Sequence, residues 1–340
     1  MKRVLIYNPY WDTMGGGERY SAQAASVFLG RGWQVDIVWP DDIRPQIKSR
    51  FGIDLSGANI VSDYWTAKYD VVFWLSDGTL PASFAKTTLV HFQFPFTGIG
   101  GKFPVNFIKS RLYKFVVNSR FTKRFIDAEF GVDSQVLYPP IDTGRFVPGK
   151  KTNTLLYVGR FSHLTQLKNP HLLVDIFKKI HPHIPGWQLI LAGGSGVGTD
   201  NRYISALKKS IGTLPVSLIL NPQLSQLQKL YSQAKIFWSA TGFGADEKLE
   251  PLKVEHFGIA VVEAMSAGCV PIVSDLGGYR EIITTGRDGF LCSDLSALGK
   301  VTCKLITHPD LLTALSKMAR QRSKIFGSVC FAAKLLSLIG

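Results

Sequence analysis

Two carboxylates, Glu255 and Glu263, lie on either side of Gly258 in this sequence. The apolar run 235–240 favours a buried strand before them, and helical spacing of apolar residues after the glycine indicates a helix. The apolar run 269–273 then favours the next strand. Loops at the carboxyl ends of parallel strands deliver residues into a ligand crevice, and free N–H groups at a helix start attract anions. The pattern therefore predicts a diphosphate site.

Each residue of this segment has a chemical use. Gly258 has no side chain, so a ligand can approach its backbone, and the N–H groups of Ile259 and Ala260 follow it. Glu263 lies one turn into the helix and can accept hydrogen bonds from a ribose diol, whereas Glu255 can reach a sugar hydroxyl. The alternative is that both acids are ordinary helix-start carboxylates favoured by the helix dipole.

The spacing of these acids carries a family resemblance. A Glu, seven residues and a second Glu, with Phe-Gly inside and Glu-Ala-Met-x-Ala-Gly following, resembles the signature of retaining family-4-type glycosyltransferases. The resemblance runs over most of the chain. It implies an α/β fold of the GT-B class, with two Rossmann-like domains facing across a cleft and a C-terminal helix crossing back to the N-terminal domain. It also implies that Glu255 contacts the transferred sugar and Glu263 the nucleotide ribose.

The length of 340 residues exceeds what one hydrophobic core usually supports, so two domains are expected. The composition of 148–153 is that of a linker. We expect an acceptor-side domain over 1–149, a nucleotide-sugar-binding domain over 150–322 and a C-terminal helix over 323–340 that packs on the first domain. The four cysteines show no paired spacing, and no segment has the roughly 20 apolar residues of a membrane span. These features favour a cytoplasmic protein, with peripheral attachment to the inner face of the membrane left open.

The formal net charge of +14 raises the question of an anionic partner, because excess Lys and Arg attract nucleic acid, anionic lipid and anionic substrates alike. The stretch 98–125 carries seven Lys or Arg residues, no carboxylate and several interleaved large apolar residues. This mixture suits docking on an anionic bilayer surface, and the alternative is a solvated basic helix face. No DNA- or RNA-binding signature accompanies the charge, so nucleic acid is not an expected partner.

The N-terminal half contributes two candidates. The glycine-rich turn at 14–19 follows the first strand, and the family places this loop against the donor, which implies roles for Gly16 and Gly17. A simple turn is the alternative. The predicted strand 88–95 delivers His91 to its carboxyl end, where the family has a functional His. A histidine packed in the core is the alternative there.

Two cations follow the first strand of the second half. Arg160 ends the strand that begins at Thr154, and Lys168 lies at the next helix. Breaking a glycosidic bond to a diphosphate places negative charge on the departing phosphate oxygens, which cations stabilise. The two residues resemble the family's Arg/Lys pair, although the loop 162–167 between them is longer than in the commonest pattern. They could instead be surface cations.

The nucleotide base and the metal requirement are less readable. Asn221 follows the strand 216–220, where the family's backbone pairs with the base, and the glycine loop 193–196 resembles the turn beside the nucleotide. No Asp-x-Asp motif occurs, so we expect no metal. The charge of the leaving group then falls on Arg160, Lys168 and the helix start at Gly258.

We therefore interpret the sequence as a metal-independent, retaining glycosyltransferase. It would move a hexose of the mannose or glucose type from GDP-mannose or a UDP-hexose to a glycan or lipid-linked acceptor hydroxyl, with no cofactor besides this donor. A catalytically silent nucleotide-sugar or membrane-surface binding protein of the same fold is the alternative. A nicotinamide-dependent oxidoreductase is disfavoured because the dinucleotide fingerprint is missing.

Overall fold

The structure is a computed structural model that describes residues 1–161, 166, 168–195 and 201–340. The chain divides into two compact units. The first unit comprises Met1–Pro140 and Ser328–Gly340, and the second comprises Ile141–Gly327. Both are α/β units built on parallel sheets, as the sequence predicts.

The first unit, every residue of which is described, contains a seven-stranded parallel sheet of order β3-β2-β1-β4-β5-β6-β7. The strands are β1 Arg3–Tyr7, β2 Gln34–Val38, β3 Asn59–Val61, β4 Val71–Leu75, β5 Thr87–Phe92, β6 Lys114–Val117 and β7 Gln135–Val136. The helices that connect them are α1 Gly16–Leu29, α2 Arg44–Phe51, α3 Pro104–Leu112 and α4 Arg120–Phe130.

The central strands of this sheet are apolar on both faces because helices cover both sides. All five residues of β4 are buried, and β1 buries its three central residues. Helix α1 packs its buried side, which includes Tyr20 and Phe28, against one face. Helix α4 starts at the N-cap Ser119, whose Oγ accepts a hydrogen bond from the Thr122 N–H at 3.0 Å.

The described part of the second unit contains a six-stranded parallel sheet of order β10-β9-β8-β11-β12-β13. The strands are β8 Thr152–Val158, β9 Gln188–Gly193, β10 Val216–Leu220, β11 Ala234–Ser239, β12 Val270–Ser274 and β13 Phe290–Cys292. The helices are α5 Pro170–Ile180, α6 Asn201–Ile211, α7 Leu224–Gln233, α8 Ile259–Ser266, α9 Tyr279–Ile282, α10 Leu295–Thr307 and α11 Pro309–Ser323.

The segment 141–149, which the sequence analysis assigned to the first domain, belongs to the second unit. The Ser266 hydroxyl donates to the carbonyls of Thr143 and Phe146, both at 2.9 Å. Lys151, in the expected linker, is held in the same way, because its Nζ donates to two backbone carbonyls at 2.7 Å. Side-chain bonds to carbonyls, which the linker composition does not reveal, fix this segment.

The final helix, α12 Ser328–Ser337, belongs to the first unit. Phe331 packs edge-on against Tyr20, with ring centroids 5.1 Å apart, and the Leu338 carbonyl accepts a hydrogen bond from Lys114 Nζ at 2.8 Å. This helix begins later than the expected 323, because 324–326 forms a separate 3₁₀ turn. None of the helices within the described ranges has the length and apolar character needed to cross a bilayer.

Candidate functional site

Strand order reverses beside β8 in the second sheet. The chain leaves β8 toward β9 and β10 on one side and continues through β11 and β12 on the other. In open α/β sheets the carboxyl ends of the strands at such a point form the ligand crevice. Arg160 follows β8, Lys168 precedes α5, and Glu255 lies in the loop after β11. The topology therefore gathers three of the predicted residues at one edge of this unit.

Glu255 and Lys168 form an ion pair. Lys168 Nζ lies 2.7 Å from Glu255 Oε2, and the two side chains are only 15% and 12% exposed. Gln166 Nε2 donates to the other carboxylate oxygen at 3.3 Å, and the Tyr279 hydroxyl lies 3.3 Å from Oε2. A largely buried carboxylate is thus surrounded by donors.

The charge state of Glu255 follows from two opposing effects. Burial acts to raise the pKa of its carboxyl, but the Lys168 ammonium and the hydrogen bonds from Lys168 and Tyr279 outweigh it, and the pKa is lowered overall. Glu255 is therefore ionised at neutral pH. The pair presents one fixed negative and one fixed positive charge at the strand ends.

Tyr279 was not identified from the sequence as a site residue. It is fully buried, and its hydroxyl lies 2.7 Å from Ser239 Oγ and 3.3 Å from Glu255 Oε2. Burial raises the pKa of this phenol well above its usual value, so it stays a neutral donor. The sequence feature that could have indicated this contact is the glycine pair at 277–278. A Cβ at Gly277 would lie 2.2 Å from the Glu255 carbonyl oxygen. Glycines there let the two segments meet.

The start of α8 is the predicted anion site. Gly258 precedes the helix with a φ of 121°, and a Cβ on it would lie 2.8 Å from the Tyr279 ring. A glycine is therefore required by conformation and by space. No side chain of the described residues caps the helix at Gly258, and Ile259 and Ala260, its first two residues, are half-buried. Their N–H groups begin the helix four residues after Glu255 of the ion pair.

Arg160 is exposed and makes no ion pair with another described residue. The Tyr157 hydroxyl donates to its carbonyl at 3.4 Å. The charges of Glu255 and Arg160 act in opposite directions on the pKa of the Tyr157 phenol, which burial raises, so both charges lie near this buried ring. Residues 162–165 and 167 of the intervening loop lie outside the described residues.

Glu263 and Asn221 have protein partners of their own. Glu263 is 8% exposed and accepts a hydrogen bond at 3.0 Å from the Tyr231 hydroxyl of α7. The side chain of Asn221 bonds twice to Ser195, at 2.9 Å through Oδ1 and 2.8 Å through Nδ2, and thereby holds the loop after β9. Gly196 of that loop lies outside the described residues. The ribose and base contacts expected of these residues stay predictions.

In the first unit the glycine-rich turn begins α1. Gly16 is the first helical residue, and a Cβ on Gly17 would lie 3.0 Å from Gln93 Oε1. Glu18 closes this turn by accepting the Gly15 N–H at 2.6 Å. These residues form a tight helix start, and their contact with a donor stays a prediction.

His91 is packed in the core of the first unit. It is 0% exposed, its ring stacks on Tyr20 with centroids 3.9 Å apart, and its Nε2 lies 3.3 Å from the Gln93 amide. Burial lowers the pKa of His91 to about 3, so it is neutral at physiological pH. His91 thus has the environment of a histidine packed in the core, and its contact with a substrate stays a prediction.

A cavity of about 310 Å³, which the sequence did not suggest, lies at the carboxyl edge of the first sheet. It is lined by the residues that end or follow β1, β2 and β3, including Tyr7, Trp39 and Ser62. Tyr7 stacks on Trp74 with centroids 3.5 Å apart. The available signal was an aromatic residue at the end of β1, Tyr7, and another directly after β2, Trp39. In the described parts of the chain, no group of three or more His, Cys, Asp or Glu residues is arranged to hold a metal ion.

The fold and this site define a two-unit α/β protein of the GT-B class, with charged groups at the switch point of its second sheet. The chain belongs to the family described as "Glycosyl transferases group 1", whose model matches residues 142–322. That match lies entirely within the second unit.

Curated relatives are similar to this chain over part of its length. It is 25% identical over 260 residues to a GDP-Man:Man(3)GlcNAc(2)-PP-Dol alpha-1,2-mannosyltransferase of Dictyostelium discoideum, which covers 68% of this chain and 49% of the relative. It is 31% identical over 184 residues to a GDP-mannose:cellobiosyl-diphosphopolyprenol alpha-mannosyltransferase of Xanthomonas oryzae, covering 54% of this chain and 43% of the relative. The alignments thus span about half the length of these relatives or less.

Solved structures share the fold. A glycosyltransferase from Rickettsia africae is similar with a TM-score of 0.79 at 17% identity, covering 99% of this chain and 97% of that one. Anabaena HepE in complex with UDP and glucose is similar with a TM-score of 0.75 at 15% identity, covering 99% of each chain.

Proposed function

We propose that this chain is a retaining glycosyltransferase that moves mannose from GDP-mannose to a hydroxyl of a lipid-linked glycan. The observation that carries the proposal is the Lys168–Glu255 ion pair at the switch point of the second sheet, beside an exposed arginine and a helix start without a side-chain cap. The family supports glycosyl transfer. The printed names of two relatives support GDP-mannose as donor and a diphosphate-linked lipid as acceptor.

The charges suit departure of a nucleoside diphosphate. As the bond between sugar C1 and the phosphate oxygen breaks, negative charge develops on that oxygen, and Arg160, Lys168 and the N–H groups at the start of α8 are the groups that would neutralise it. The acceptor oxygen bonds to C1 from the same face, and its proton passes to the departing phosphate. Glu255, held ionised by Lys168, accepts hydrogen bonds from sugar hydroxyls.

The acceptor would use the first unit. The cavity at the ends of β1–β3 has aromatic walls in Tyr7 and Trp39, and a concave site with aromatic walls and a few polar groups such as Ser62 is typical of small-ligand recognition. A terminal sugar can place its apolar face on an aromatic ring and its hydroxyls toward the polar groups. We assign this cavity to the acceptor glycan on that chemistry.

The test begins with donor binding. The full chain is heated with GDP-mannose, with UDP-glucose and with no ligand, because a ligand at 100 times its Kd stabilises the folded state by about 2.7 kcal/mol. Transfer to a diphosphate-linked lipid oligosaccharide is then followed by GDP release and by NMR of the new anomeric centre. Arg160→Ala is expected to lower kcat by about 10² to 10³.

Lys178→Ala is the matched control. Lys178 is an exposed cation of the same unit, near the end of α5, and this helix runs from the carboxyl edge of the sheet toward the opposite edge. The Lys178→Ala variant should transfer the sugar at the wild-type rate. Donor binding without transfer would favour the silent binding protein, a β-linked product would refute retention, and a larger stabilisation by UDP-glucose would replace the donor. If no nucleotide sugar stabilises the fold, the proposal fails.

A further inference from the structure

Helix α3 exposes its apolar side. Val105, Ile108 and Leu112 are 63%, 61% and 72% exposed, and their spacing of three and four residues puts them on one face of the helix. Phe103, directly before the helix, is 69% exposed. We call these four residues the α3 face.

Two polar residues of the same helix, Asn106 and Ser110, point toward the protein. Ser110 is 4% exposed and donates to the Phe107 carbonyl at 2.8 Å, and the Asn106 amide donates to the Gly100 carbonyl at 2.9 Å. A surface helix of a globular protein normally buries its apolar stripe and exposes its polar one. The neighbouring helix α4 does so, with Phe121, Ile126 and Phe130 buried. The orientation of α3 is therefore the reverse of that of α4.

An exposed aromatic pair adjoins α3. Trp65 and Phe84, 57% and 67% exposed, lie with their ring centroids 5.5 Å apart. The segment before Phe84 is tied to the end of α3, because Lys109 Nζ donates to the Leu80 carbonyl at 3.1 Å and the Tyr113 hydroxyl donates to the Pro81 carbonyl at 3.0 Å. Tryptophan favours the interface between water and lipid, where its ring is buried and its N–H stays wet.

The stretch that carries the α3 face has only cations among its charged residues, and the Glu129 carboxylate of α4 accepts the N–H groups of Gly98, Ile99 and Gly101 before it. Lys102 and Arg111 are exposed, and Arg111 lies over the Phe107 ring at 4.8 Å. No carboxylate occurs between Gly98 and Phe125. Cations beside protruding apolar side chains match an anionic bilayer, which offers headgroups to the cations and hydrocarbon to the apolar groups. A second copy of the chain docked on the α3 face would bring two equally basic surfaces together, and like charges repel.

We propose that the α3 face, with the adjoining Trp65–Phe84 pair, docks this chain on the surface of an anionic membrane. Helix α3 lies in the plane of the interface, since nine residues are too short to span it. The α3 face enters the acyl boundary, and Lys102 and Arg111 meet the phosphates. This surface lies in the first unit and does not depend on the proposed transfer reaction.

The test is flotation of the full chain with lipid vesicles. Vesicles with about 30% phosphatidylglycerol should bind the chain, phosphatidylcholine vesicles should bind it at least about ten-fold less, and about 0.5 M salt should release most of it. Ile108→Ser/Leu112→Ser should weaken binding at least about ten-fold, because two insertions are lost. Arg111→Ala should weaken it less and reduce its dependence on salt.

Val329→Ser is the matched control, since Val329 is 81% exposed on α12 of the same unit. It should bind vesicles like the wild type. All these side chains are exposed, so each variant should melt at the wild-type temperature. Absence of binding to anionic vesicles, or equal binding by the Ile108/Leu112 variant, would overturn the proposal. Self-association of the wild type that this variant abolishes, or a preference for an acidic protein over anionic vesicles, would also overturn it.

Discussion

Replacing Lys168 by Met tests the ion pair most directly. The change removes the cation 2.7 Å from Glu255 and leaves a carboxylate that is only 12% exposed. Breaking a buried pair from one side typically costs 3–5 kcal/mol, and the residual contact with water reduces this to about 2–3 kcal/mol. That free energy corresponds to a factor of roughly 30 to 150 in a local opening equilibrium.

The cost should disappear when both charges are removed. Glu255→Gln combined with Lys168→Met leaves no buried charge without its counter-ion, so the double variant should be more stable than Lys168→Met alone. The coupling between the two positions is then favourable by about 1–3 kcal/mol. Lys178→Met, an exposed cation on α5, is the control and should change stability little.

The pH dependence of the free energy of unfolding is an independent test, because the contribution of Glu255 should change with pH in opposite directions in the wild type and in Lys168→Met. In the wild type the pKa of Glu255 is lowered from its usual 4.5, so its contribution to the free energy of unfolding is present above pH 4.5 and is lost as the pH falls through the lowered value. Without Lys168, burial dominates and should raise this pKa. The contribution of Glu255 is then greatest below pH 4.5 and is lost as the pH rises through the raised value.

Amide hydrogen exchange by mass spectrometry is the suitable assay, because it separates the two units. Exchange in β8 of the second unit should accelerate in Lys168→Met at neutral pH, whereas β1 of the first unit serves as the internal reference. The double variant should recover most of the protection. Equal protection in β8 of the wild type and Lys168→Met, or a double variant as unstable as that single one, would refute the reasoning.

Three further predictions follow from single contacts. Gly193→Ala should lower the free energy of unfolding by at least about 3 kcal/mol, because its Cβ would lie 1.6 Å from the Gly159 oxygen. The control Gly212→Ala, with open space around it, should cost about 1 kcal/mol. Equal melting temperatures of the two variants would contradict this prediction. Tyr279→Phe should cost about 1 kcal/mol of stability and raise the pKa of the Glu255 carboxyl. Urea denaturation at two pH values would measure both effects, and unchanged midpoints would exclude a role for the hydroxyl. His91→Phe should reduce the loss of stability on acidification below pH 6.5. Burial lowers the pKa of His91 to about 3, so in the wild type this ring must become exposed before it is protonated. Parallel pH profiles of stability in the two proteins would argue against burial of His91.

Much of the fold could be predicted because the relevant signals are local. The apolar runs at 71–75 and 235–240 correspond to β4 and β11, since a strand covered on both faces must be apolar throughout. The short strands β3 and β7 were missed because three and two residues leave no pattern.

The site was predictable only in part. The spacing of Glu255 and Glu263 around Gly258 identified one segment and, by resemblance, a glycosyltransferase of the GT-B class. It did not identify Gln166 or Tyr279 as partners of Glu255, because those contacts join segments far apart in sequence.

The sequence by itself determined the α/β class, the positions of most strands and the resemblance to GT-B glycosyltransferases, because periodicity, helix starts and a motif of 14 residues are properties of neighbouring positions. Only the tertiary structure decided that Lys168 pairs with Glu255 across 87 positions, that His91 lies in the core, and that α3 exposes its apolar side. Those outcomes depend on strand order and on which surfaces neighbouring elements cover. A helix of given sequence can bury either face, and the elements packed against it determine which one.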